Sequence, residues 1–124
     1  MAKNILVVDD EELVTESLKR LLKKEGYNVT IAKSGKEAIG KIKDTDFNLI
    51  VSDVRMPEID GVEIVKNIRK YLKENNKKPV PEILITGYSS DESLKQAQEL
   101  KVADYIYKPF DIKAFLEVVK KNLK

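Results

Sequence analysis

Two hydrophobic patterns alternate along the chain. Short apolar-rich runs occur at Ile5 to Val8, Asn28 to Ala32, Asn48 to Asp53, Glu82 to Thr86 and Asp104 to Tyr107. Their length and aliphatic content read as strands, the most continuous of them buried on both faces. The intervening segments have helical spacing. Residues 11 to 25 place Leu13, Val14, Leu18, Leu21 and Leu22 on one face, open with Glu11 and Glu12, close with Lys23 and Lys24, and stop at Gly26; this charge order suits the helix dipole, and glycine suits the exit. Ser34 with Glu37 gives a capping pattern for a helix to about Asp44, and Asp60 with Glu63 gives another for a helix with the stripe Val62, Val65, Ile68 and Leu72. Residues 90 to 100 carry a thin stripe, Leu94, Ala97 and Leu100, and Asp111 caps a last helix with Ile112, Phe115, Leu116 and Val119 facing inward. The polar stretch Glu74 to Pro81 reads as a loop.

Strand then helix, five times over, predicts an α/β protein with a parallel sheet covered on both faces. Right-handed crossovers restrict the topology, and a five-stranded doubly wound order 2-1-3-4-5 is the natural candidate. The 124 residues suit one domain, expected to run from 1 to 124.

Composition narrows the chemistry. At 42% hydrophobic and 35% charged, the chain reads as globular rather than disordered. The net charge is +2, and the basic residues are spread over many helices, which argues against direct contact with nucleic acid. With no signal peptide and no apolar run near about 18 residues, a cytoplasmic location without membrane contact is expected. The absence of cysteine and histidine removes disulfides, thiol catalysis, Ser-His dyads and imidazole ligands. What remains is carboxylate, lysine and hydroxyl chemistry, with room for a hard metal ion.

Strand one ends at Asp9-Asp10, strand three at Asp53, strand four at Thr86, and strand five just before Lys108. In an open parallel sheet the ligand crevice lies beyond the carboxyl ends of the strands at the switch point, here between strands one and three. The three aspartates are therefore expected to converge there, with Thr86 and Lys108 arriving from one side. Clustered carboxylates without histidine or thiolate suit Mg²⁺. Taken alone, Asp9 and Asp10 could simply cap the helix that follows.

The acidic pair in VVDD, the aspartate in VSDVRMPEIDG, the hydroxyl in LITG and the lysine in YIYKPFD together resemble the receiver domain of two-component response regulators, over residues 3 to 123. The resemblance implies a flavodoxin-like (βα)5 doubly wound three-layer sandwich and a phosphoprotein switch rather than an enzyme. It implies Asp53 as phosphoacceptor. Asp10 would ligate Mg²⁺ directly, Asp9 through water, and Asp53 and the backbone carbonyl of Arg55 would join them. It implies Thr86 and Lys108 on the phosphoryl group, Thr86 and Tyr105 as the switch pair, and a cis bond before Pro109. Arg55 and Tyr88 would flank the phosphoryl group and set its lifetime. The implied partners are a sensor histidine kinase or phosphotransfer protein, a downstream effector domain or protein, and a second copy on phosphorylation. The helix near 90–100, strand five and the last helix would form the responding surface, the first of these moving most because its apolar face is thinnest.

Three rivals share parts of this pattern. A haloacid-dehalogenase-type phosphohydrolase also uses an aspartyl nucleophile with Mg²⁺, but reads D-x-D after its first strand, where this chain has adjacent Asp9 and Asp10. A nucleotide-binding flavodoxin relative would place a Gly/Ser/Thr-rich loop there, not an acidic one. A receiver fold that acts as an interaction module without phosphorylation is the remaining alternative.

Overall fold

The computed structural model describes residues 2–53, 61–86, 98–107 and 111–123. Five strands, β1 (Asn4–Val8), β2 (Asn28–Ala32), β3 (Leu49–Asp53), β4 (Glu82–Thr86) and β5 (Asp104–Tyr107), form one sheet in the order β2-β1-β3-β4-β5. All four pairings are parallel. Helices α1 (Glu12–Lys24), α2 (Gly35–Asp44), α3 (Gly61–Glu74) and α4 (Ile112–Asn122) complete the described elements, and residues 98–100 are also helical. The doubly wound order expected from the alternating pattern is the one observed.

Side-chain alternation along the strands builds a core on each face of the sheet. Ile5, Val7, Val51 and Ile85 pack with Leu18 and Leu22 of α1 and Phe115 and Val119 of α4. Leu6, Val8 and Ile50 pack with Ala38 and Ile42 of α2 and Ile64 and Ile68 of α3. A smaller cluster joins Val62, Val65 and Leu84 to Leu100, Val102 and Tyr105. Because each central strand is buried on both sides, its aliphatic run has no polar gaps, and this is why the runs were conspicuous in the sequence.

Local signals act mostly as expected. Ser34 Oγ accepts from the Glu37 amide at 3.1 Å, while the Glu37 carboxylate reaches back to the Lys33 amide at 3.3 Å, one residue earlier than a standard capping box. Asp111 accepts from the Lys113 amide at 3.2 Å, and Gly26 takes a φ of 93° after α1. The Asp60 cap lies outside the described residues. Two predicted inward positions are corrected. Leu13 is 86% exposed and Ile112 is 58% exposed. Leu13 shares its turn with buried Thr15 and core-packed Val14 but points away from the Thr15–Leu18–Leu22 face; Ile112 opens α4 one turn before Phe115, where the contact with the core begins.

Candidate functional site at the carboxyl ends of the strands

The ladder between β1 and β3 aligns Val8 with Ser52, which brings the next residues, Asp9 and Asp53, abreast. Asp9 extends the β1–β2 ladder by one bond, its amide donating to the Ala32 carbonyl at 3.1 Å. Its Oδ1 accepts from the Glu11 amide at 3.0 Å, so the carboxylate also shapes the entry to α1. Glu11, the residue before that helix, makes no side-chain capping bond. Asp9 thus does part of the work that the capping reading assigned it, yet that bond uses one oxygen of a residue only 1% exposed.

Carboxylate oxygens of Asp9, Glu11 and Asp53 lie within 4.8 Å of one another. Asp53 is 4% exposed and Glu11 is open to solvent. Buried like charges repel, and a cation among them removes that cost. Among the described residues the donor set fits a hard divalent ion, with three carboxylates supplying oxygen ligands and Glu11 open to solvent. Asp10 is half-buried and stands outside this trio. Glu11, which the pattern reading treated only as a helix-opening acid, stands inside it; the signal was the unbroken run of four acids from Asp9 to Glu12.

Two further expected residues, Thr86 and Lys108, belong in the chain to the ends of β4 and β5. Asp53 pairs in register with Ile85, and Thr86 pairs with Tyr107, so Thr86 ends β4 one step beyond the acid row. Lys108 follows Tyr107 in the chain. Lys108 and Pro109, with Arg55 and Tyr88, fall outside the described residues. Tyr105 is half-buried beside Val62, Val65 and Leu84. Burial pushes its phenol upward in pKa, Tyr107 adds to the shift, and Arg69 opposes it.

Acids gathered at the switch point of a five-stranded doubly wound sheet define a class: an α/β protein able to hold a divalent cation beside a buried aspartate. Residues 5–120 match the family described as the response regulator receiver domain, and the chain belongs to that family, a signalling switch of two-component systems. It is 34% identical over 117 residues to response regulator RR06 of Streptococcus pneumoniae, a match spanning 94% of this chain and 51% of that protein. The chain therefore spans about half the length of that curated relative. Among solved structures it is similar to the chemotaxis protein CheY4 of Vibrio cholerae (28% identity, TM-score 0.88, 99% of this chain and 100% of that one). It is also similar to a CheY-like receiver domain protein from Methanospirillum hungatei (32% identity, TM-score 0.88, 99% and 94%). No described helix is long and apolar enough to cross a membrane.

Proposed function

We propose that Asp53 accepts a phosphoryl group from a phosphohistidine on a sensor kinase or phosphotransfer protein. The observation that carries this reading is the burial of Asp53 at the end of β3 with Asp9 and Glu11 oxygens within 4.8 Å. An Asp53 carboxylate oxygen attacks phosphorus, the donor nitrogen–phosphorus bond breaks with its electron pair leaving on the imidazole, and an aspartyl phosphate forms. Mg²⁺, held by acids from Asp9, Asp10, Glu11 and Asp53 with the Arg55 carbonyl, would supply positive charge for the phosphoryl oxygens. Lys108 adds a second positive charge and Thr86 a hydrogen bond. The new charge of about −1.5 to −2 draws Thr86 toward it and lets Tyr105 move. The segment near 90–100 with β5 and α4 then shifts between two populations that an effector domain or protein, or a second copy, reads. The whole of residues 1–124 acts as one receiver unit in the cytoplasm.

The test is incubation with Mg²⁺ and acetyl phosphate, followed by intact-mass measurement. One phosphoryl adduct is expected, lost in Asp53→Asn and on chelation of the metal. Retention of the adduct in Asp53→Asn would sink the assignment; no adduct under any condition would favour the phosphorylation-independent interaction module. Steady turnover of phosphate esters would instead favour the hydrolase reading. Arg55 and Tyr88 shield the aspartyl phosphate from water, so Arg55→Ala and Tyr88→Ala should shorten its half-life severalfold. Unchanged lifetimes in both would remove them from that role.

A further inference from the structure

The loop from Asn75 to Pro81 plays no part in the acidic site, because it feeds β4 at the opposite end of the sheet. Its backbone is tied down. The Asn76 amide donates to Lys73 O at 3.2 Å with Asn76 at a φ of 56°, the Lys77 amide donates to Leu72 O at 2.8 Å, and the Ile50 amide donates to Pro81 O at 3.0 Å. Pro79 and Pro81 stiffen the remainder. One flank of this wall bounds a groove of about 700 Å³, within the size range of ligand sites, and the other bounds a hollow of about 400 Å³. Leu72, Pro79, Val80 and Pro81 line both.

The groove's charge is one-sided. Arg69, Lys73, Lys77 and Lys101 line it, against Glu82 as its one acid among the described residues. Glu82 is already neutralised by a two-pronged bond from Arg69. Lys77 lines both hollows, and its ammonium is paired with Asp46 of the smaller one, 3.2 Å away, and lies 5.9 Å from the Tyr71 ring.

We propose that this groove docks an extended acidic segment of a partner protein, with apolar side chains on the Leu72–Val80–Pro81 floor and carboxylates against Lys73 and Lys101. Charge complementarity selects an acidic occupant. The aliphatic floor selects a peptide over a nucleic acid, whose bases need aromatic platforms that the groove lining lacks. The prebuilt wall lowers the ordering cost of association. Because this surface is at the far end of the sheet from Asp53, a partner can occupy it whether or not the acidic site is in use.

The test is an amide-shift titration of the full chain with a short synthetic peptide alternating Glu and Leu. Shifts are expected at Lys73, Lys77, Val80, Lys101 and Ala103, with affinity falling as salt rises. The double variant Lys73→Glu/Lys101→Glu, both exposed and so expected to fold normally by circular dichroism, should bind roughly tenfold more weakly. A Glu/Ser peptide of equal length should bind severalfold more weakly than the Glu/Leu peptide. The proposal is overturned if shifts fall elsewhere, if the double variant binds equally well, or if the Glu/Ser peptide or an oligothymidylate matches the Glu/Leu peptide. Concentration-dependent self-association in sedimentation, abolished in the double variant, would overturn it in favour of a second copy as occupant.

Discussion

At the carboxyl end of the sheet, Asp9, Glu11 and Asp53 crowd like charges together, two of them buried. At the amino end, Glu82 is equally buried, yet Arg69 meets it with bonds of 2.8 and 2.6 Å and donates a third, at 2.6 Å, to the Leu100 carbonyl. One end gathers acids of a single sign, a set that suits a bound cation; the other pairs its buried acid with Arg69 and fastens α3, β4 and residue 100 to one another. The difference teaches where to look for function in a chain that is one-third charged: at buried charge of a single sign, not at buried charge as such. The Arg69 guanidinium illustrates the second case, its pKa raised chiefly by the hydrogen bond to Glu82 against the opposing effect of burial.

The comparison breaks most visibly at Arg69. Arg69→Ala leaves the Glu82 carboxylate buried without its cation and should destabilise the protein by about 3 kcal/mol, the low end for broken buried pairs because the guanidinium is partly open to solvent. Urea unfolding reads this; a loss below about 1 kcal/mol would reduce the clamp to a surface pair. At the other end, Mg²⁺ at about a hundred times its dissociation constant should add about 2.7 kcal/mol of stability, as expected for a ligand of the folded state alone. Asp9→Asn should lose most of that gain, and an undiminished gain would move the cation away from the trio.

The smallest effect lies between the ends, at Tyr105. Its phenol should titrate above the ordinary 10.0, with burial the main cause. A raised pKa means that the folded state favours the neutral phenol. That contribution to stability is complete below pH 10 and fades as pH climbs through the folded-state value. Ultraviolet titration of the wild type against Tyr105→Phe measures the shift; ionisation at or below 10 would show that the ring is wetter than its packing against Val62, Val65 and Leu84 implies.

Much of this architecture was readable before any coordinates. The bounds of β2, β4 and β5 coincide with their apolar runs, and the nearly fully buried β1 and β3 left the most continuous aliphatic stretches. Asp9 and Asp53 were readable as a pair because parallel register puts strand ends side by side. Leu13 was misread because it was counted on the buried stripe although it points away from the Thr15–Leu18–Leu22 face, and Ile112 because periodicity records which face a residue shares, not where along the helix its neighbours begin. Glu11 was overlooked because a helix-opening acid and a third member of an acidic pocket look the same in one dimension. The Arg69–Glu82 bond joins residues 13 apart on different elements, and no local spacing rule reaches across such a gap.

Of the described strands, the one that comes first in the chain lies in the interior of the sheet. β1 is flanked by β2 on one side and β3 on the other, so one aliphatic edge stays open until residue 53 has been translated. A message cut short before that codon would yield a peptide displaying Ile5 to Val8 with bare amide and carbonyl groups, a template for aggregation that chaperones or proteases would have to clear.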